Sequence, residues 1–224
     1  MSIPKILFAV LCISIAACKK PKPEPPIVPD PVDTTSITTY DTSSALKVGN
    51  YWVYQIYDVY LANDSAVAQN IFDSSYVESE ILIGHTTYYK YCSKRTGSPS
   101  LSIYYLRDSL HYIVNSGGEI MFSSEDFTTV FLDRPFGPNG ATADTMNVRR
   151  QMTNRNTVIT VPAGTFTASA FSTIYYYPPG SPKSDKYLHD WYAKNIGKVK
   201  FPWAFYLAQS EQYSEYRLVR YHVQ

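Results

Sequence analysis

Tyr51-Trp52-Val53-Tyr54-Gln55-Ile56-Tyr57-Asp58-Val59-Tyr60 is the stretch that decides the fold class. Trp52, Tyr54, Ile56 and Tyr60 fall on one side of a two-residue repeat, and Tyr51, Val53, Tyr57 and Val59 on the other. A period of two, carried by aromatic and β-branched residues, is the pattern of a strand. Both sides are apolar or aromatic, so this strand is expected to be covered on both faces.

The same pattern recurs toward the C-terminus. Ser75–Ile83 and Thr86–Ser93 flank Gly84-His85 and read as a hairpin, with Gly84 supplying the positive φ of a tight turn. Leu101–Arg107 and Leu110–Asn115 flank Asp108-Ser109 as a second hairpin, and Gly117-Gly118 turns the chain into Glu119–Phe122. Ser123–Thr145 is irregular. Ser124-Glu125-Asp126 suits the start of a short helix, and Pro135, Gly137, Pro138 and Gly140 impose a loop. Further strands are expected at Met146–Gln151, Thr157–Val161, Phe166–Tyr177, Tyr187–Ala193, Lys198–Leu207 and Gln212–Val223. Val161-Pro162-Ala163-Gly164 fits a type I turn, exposed and tight. Links this short join antiparallel neighbours, since parallel pairs need crossovers of about a dozen residues or more. The expectation is a mainly β domain over residues 40–224. It is a single antiparallel curved sheet, half-barrel or barrel-like, with a β-sandwich as the alternative and little helix.

Upstream, the composition changes. Residues 1–17 read as a secretory signal: Lys5 is the charged start, and Ile6–Ile15 is an apolar run broken only by Ser14. A membrane-spanning helix needs about 20 apolar residues, so this run is too short to span. It ends in Ile15-Ala16-Ala17-Cys18, which resembles the bacterial lipobox. That resemblance implies that Cys18 becomes the mature N-terminus and carries diacylglycerol. Residues 18–39 then form a linker with Pro21, Pro23, Pro25, Pro26, Pro29 and Pro31. At roughly 3.1 Å per residue its length holds the domain up to about 60 Å from a bilayer. Surface-exported lipoproteins resemble one another in carrying acidic residues soon after the cysteine; here Lys19, Lys20 and Lys22 follow it with only Glu24 as a nearby acid, so that comparison implies the periplasmic side of an outer membrane.

With Cys12 removed and Cys18 lipidated, Cys92 is left alone, so the domain has no internal disulfide and relies on its core. Lys5 leaves with the signal. That brings the 20 basic residues down to 19, against 19 acidic ones, which is no footprint for nucleic acid.

Three pieces occur in order: Leu46-Lys47-Val48-Gly49-Asn50-Tyr51-Trp52-Val53-Tyr54, Val161-Pro162-Ala163-Gly164-Thr165-Phe166, and Trp191-Tyr192-Ala193-Lys194-Asn195-Ile196-Gly197-Lys198-Val199-Lys200. Together they resemble a group of uncharacterised Bacteroidota lipoproteins and are similar to TapB-like proteins. The resemblance implies an antiparallel sheet fold and no established activity, so it assigns no catalytic residue. Trp52 and Trp191 are expected in the core.

No catalytic signature emerges. His85, His111, His189 and His222 show no metal-ligand spacing. Gly-x-Ser-x-Gly and phosphate-binding glycine loops are absent, and Ser44-Ala45-Leu46-Lys47 matches Ser-x-x-Lys without its companion motifs. Glu78 with Glu80 and Glu125 with Asp126 read as solvated acids. Cys92, in a strand-like run, reads as a buried thiol. No catalytic residue, metal or cofactor is assigned. The aromatic excess, with 21 tyrosines, is the one hint of binding. Two function classes stand. One is an envelope lipoprotein with a binding or structural role, holding a glycan, a lipid or a protein partner on a concave aromatic sheet. The other is a hydrolytic enzyme whose site is assembled from distant strands.

Overall fold

The computed structural model describes residues 44–60, 62–63, 65–136, 146–181, 184–203 and 212–224. The signal segment, Cys18, the proline-rich linker and the second part of the irregular stretch lie outside them. Every regular element among the described residues is a strand. They are β1 (Tyr51–Tyr60), β2 (Ser65–Ile83), β3 (Thr86–Arg95), β4 (Ser102–Ser109), β5 (Tyr112–Asn115), β6 (Ile120–Ser123), β7 (Val130–Pro135), β8 (Asn147–Met152), β9 (Thr157–Val161), β10 (Gly164–Tyr176), β11 (Lys186–Ala193), β12 (Gly197–Pro202) and β13 (Gln212–His222).

All pairings are antiparallel and belong to one sheet, in the order β6-β5-β4-β3-β2-β1-β13-β12-β11-β10-β8-β7, with β9 paired to β10 alone. The chain steps outward from β1 to β6, moves to the opposite edge at β7, and returns to close β13 on β1. Only Ser124–Thr129 connects the two edges, and six residues reach roughly 20 Å at most. The sheet must therefore curl until its edges nearly touch. The contacts agree: the Phe122 ring lies 4.4 Å from Tyr192, Tyr112 lies 6.0 Å from Phe131, and the Ser123 N–H points at Met152 Sδ at 3.4 Å. No ladder joins β6 to β7 among the described residues, so the barrel keeps an unsealed seam. The sandwich alternative fails because the sheet is continuous.

The inward face carries one core. Trp52, Tyr54, Ile56, Val77, Ile113, Phe122, Met152, Phe171, Tyr192, Val199, Tyr216 and Leu218 are all buried in it. Only one face of β1 is fully covered. Trp52, Tyr54 and Ile56 are buried, whereas Tyr51 is 37 % exposed, because no second layer packs outside the barrel. Trp191 is half-buried for the same reason. Alternation along β11 turns Tyr192 inward and Trp191 outward, and a bulge at Val199 of β12 sets Tyr192 opposite Lys198 and Trp191 opposite Lys200.

The three sequence pieces meet at one end. Trp52 Nε1 donates to the Ile196 carbonyl at 2.6 Å, and the Gly49 and Asn50 backbone pairs with Val77. Gly197 has φ +90°, and a Cβ there would sit 3.2 Å from the Ser44 carbonyl and 3.6 Å from the Trp52 ring, so only glycine fits. The turn at Pro162-Ala163 is tight, with Pro162 exposed, but its tip is anchored. The Ala163 N–H donates to the Leu218 carbonyl at 2.9 Å, and Phe166 packs edge-on to Tyr221.

Candidate functional site

Curling a sheet this rich in aromatic residues leaves a gap that its own side chains do not fill. A cavity of about 290 Å³ lies inside the barrel, lined by residues that include Trp52, Tyr54, Tyr91, Tyr104, Leu106 and Lys198. Trp52 and Tyr54 form its deep wall at 2 % and 1 % exposure, while Tyr104, at 52 %, marks where it meets solvent. An apolar cavity of about 150 Å³ accepts benzene, so this one has room for roughly a dozen non-hydrogen atoms.

The wall is apolar with a few placed polar groups. Tyr54 Oη donates to the Lys198 carbonyl at 2.9 Å, and Phe201 meets Tyr54 edge-on with centroids 5.0 Å apart. The Tyr91 hydroxyl interacts with both Tyr54 and Ser75. Ser75 and Ser93 donate to the same Asp73 oxygen, at 3.3 and 2.5 Å. Lys198 Nζ contacts Asp190 at 2.7 Å and lies 4.7 Å from the Phe201 ring centre and 5.4 Å from that of Tyr192. Burial pulls the Lys198 pKa down, but the Asp190 carboxylate outweighs it and the net shift is upward, so the ammonium stays charged. Burial pushes the Tyr192 phenol up to about 12 and raises Tyr54 well above its ordinary value. Both are neutral hydroxyls at physiological pH. The cavity thus offers an aromatic body, neutral hydroxyls and one cation already paired. That set can bind an amphipathic molecule, and it holds no activated nucleophile.

A nucleophile–base contact does exist elsewhere. Ser172 Oγ lies 2.6 Å from His189 Nδ1 and 2.6 Å from Thr153 Oγ1. Ser172 is completely buried and does not line the cavity. The neighbouring carboxylate, Asp190, is engaged by Lys198. Burial lowers the His189 pKa, so the ring is a neutral hydrogen-bond partner for a buried hydroxyl. The contact is a cross-strand pair between β10 and β11 and lacks the substrate access a hydrolase needs.

The remaining candidates are scattered. His85 is at the β2–β3 turn, His111 stands 3.9 Å from the Tyr112 ring, and His222 stacks on Tyr51 at 5.8 Å. No three His, Cys, Asp or Glu side chains gather among the described residues. Cys92 is fully buried, and desolvation pushes its thiol up, away from the reactive thiolate. Glu78 pairs with Lys90 at 2.5 Å. Hydrogen bonds from the Thr129 side chain and N–H, followed by the Thr128 N–H and the Tyr112 hydroxyl, hold the Asp126 carboxyl well below the usual range. It organises the β6–β7 link, where a short helix was expected and bends are found. Sequence reading missed Lys198 and Tyr91 as lining residues. The Lys198–Tyr192 pairing arises from the bulge at Val199 of β12, which no local pattern announces.

No family model and no curated protein matches the chain. Two solved structures align with it. One is a protein of Parabacteroides distasonis assigned as a lipoprotein, at 16 % identity and TM-score 0.45, covering 82 % of this chain and 99 % of that one. The other is a protein of Bacteroides fragilis assigned as exported, with a YmcC-like fold, at 14 % identity and TM-score 0.43, covering 79 % of this chain and 96 % of that one.

Proposed function

We propose that the protein is an envelope lipoprotein, anchored in the outer membrane through lipid on Cys18 and facing the periplasm, whose barrel binds a small amphiphile. The cavity of about 290 Å³ carries the binding half of this reading. An open aromatic platform for glycans would show several rings on one exposed face. The outward rings, such as Tyr187 beside His189 and Trp191, lie on the convex outside of the barrel, whereas Trp52, Tyr54 and Tyr192 turn inward to the cavity. The ligand that suits the cavity has an apolar body and one polar end, the end meeting Tyr91, Ser75 or Lys198. Hydrolysis has no comparable support, since the Ser172–His189 pair is sealed from the cavity.

The anchor half rests on Ile15-Ala16-Ala17-Cys18 and the proline-rich tether. Cys18→Ser abolishes incorporation of labelled lipid and moves the protein to the soluble fraction. Membrane association unchanged in that variant removes the anchor from the account. In the same cells, external protease spares the wild-type domain, and its prompt digestion would place it on the outer surface. The cavity half is read by titration with a ten-carbon fatty acid, which binds the wild type and fails to bind variants with the cavity filled.

A further inference from the structure

We propose that the tip of the β2–β3 hairpin, together with the neighbouring β4–β5 turn, docks into the lipid bilayer to which the tether leads. This rests on the lipid on Cys18 proposed above. β2 runs for 19 residues, but its neighbours stop short of its end. Beyond Val77, whose N–H meets the Asn50 carbonyl, β2 has only β3 beside it, and β4 joins β3 no nearer the tip than Tyr89. Tyr89 lies opposite Glu80, so β2 and β3 run on alone for only three residues, which at roughly 3.3 Å each place Ile83 about 10 Å past the last β4 pairing. The hairpin therefore ends in a short two-stranded finger beside the β4–β5 turn.

Its tip holds three consecutive aliphatic residues, Ile81, Leu82 and Ile83, exposed by 37, 67 and 37 %. Consecutive strand residues face opposite ways: Leu82 and Thr87 leave one face of the tip bare, while on the other Ile81 and Ile83 stay exposed beside Tyr88, which is buried with Arg107 over its ring. A run of exposed apolar residues like this has no role within the fold and marks a surface for docking. Leu110, 63 % exposed, sits at the β4–β5 turn in the left-handed region, φ 56°. Tyr89 pairs with Leu106, so both strands lead toward the same end of the barrel, and the two tips share that rim.

The described chain begins on this rim. Ser44 Oγ donates to Asp108 Oδ2 at 2.7 Å, two residues from Leu110, and Val48 is 43 % exposed close by. The polypeptide reaches the rim from Cys18 through only some 25 residues, a span of about 80 Å at full extension. A lipid on that cysteine thus brings the bilayer within reach of the exposed Leu and Ile side chains. Glu80 and Asp108 on this rim are balanced by Lys47 and Arg107, with His85 and His111 beside them, so the attraction to neutral lipid is carried by the apolar side chains and is insensitive to salt.

The test uses the full lipidated protein on neutral phosphatidylcholine–phosphatidylethanolamine vesicles. An environment-sensitive dye is placed through Leu82→Cys, Leu110→Cys or Val67→Cys in turn; Cys92 is buried and does not label. Val67 is the control, 51 % exposed at the far end of the same strand. Emission shifts to the blue at positions 82 and 110, with quenching by brominated lipid at least about twofold above that at 67, and high salt leaves both unchanged. Water-like emission at 82 and 110 on a lipidated, vesicle-bound chain overturns the docking surface and leaves the anchor standing; the finger then meets a protein partner. Equal shifts at all three positions also overturn it. A chain whose mass shows no lipid removes the anchor, and the docking surface with it.

Discussion

Trp52→Ala lowers the stability of the domain by about 3–5 kcal/mol. Trp52 is 2 % exposed and lies against Tyr91, and its Nε1–H satisfies the Ile196 carbonyl at 2.6 Å. Truncation removes the largest buried ring, leaves that carbonyl without its donor, and opens the core into the existing cavity. Gly197 lies against the same ring in a conformation that only glycine adopts easily, so the wall has little freedom to collapse. Urea unfolding reads the change directly. A loss below about 1 kcal/mol would mean that the ring is dispensable to the core and that the tryptophan is retained for what it contacts in the cavity.

Raising the pH above about 10 weakens the fold steeply. The unfolded tyrosines lose their protons near pH 10, whereas burial holds Tyr192 and Tyr216 protonated up to about 12. The native state then binds more protons than the unfolded one, so stability falls as pH rises. Each group contributes about 1.4 kcal/mol per pH unit across that window, so the pair removes on the order of 5 kcal/mol by pH 12. Lys198 acts in the same direction. Its folded pKa is raised, so its contribution is intact below the unfolded value and is lost as pH climbs past it. Denaturant unfolding at stepped alkaline pH, followed alongside tyrosinate absorbance, checks the sign. Constant stability through the window would contradict the buried environment of both rings.

Much of the fold was legible because strand propensity, alternation and turn chemistry agreed. β1, β9 and the Gly84 hairpin fall where the pattern puts them, with Gly84 at φ +61°. The first part of β2 did not stand out. Ser65 to Ser74 is rich in alanine and polar residues, and it is a strand because β1 offers it a partner across a bulge. β7 was hidden in the irregular stretch for a similar reason: Val130–Pro135 is held by pairing with β8. The turn after β4 falls at Leu110-His111, two residues later than Asp108-Ser109, because Asp108 is held in the strand by Ile113 and Ser44. Trp191 looked like core because large rings usually are. Plain alternation along β11 turns it outward, and the bulge at Val199 of β12 delivers Lys198 to the cavity. The cavity itself depends on how far a twisted sheet curls, a property of all the strands together that no window of sequence carries.

The central claim is that this cavity takes a small amphiphile, and calorimetric titration with decanoate tests it most directly. About twelve non-hydrogen atoms fit the volume, and at about 0.5 kcal/mol per atom they give a dissociation constant on the order of 10–100 μM. Leu106 and Met121 line the cavity, and Leu106→Phe and Met121→Phe add bulk there while leaving the buried ring network in place. The account predicts saturable one-to-one binding to the wild type, and at least about tenfold weaker binding to whichever of the two variants unfolds at the wild-type urea midpoint, a difference of about 1.4 kcal/mol. Absence of binding to the wild type, or equal binding to a filled variant, would contradict it.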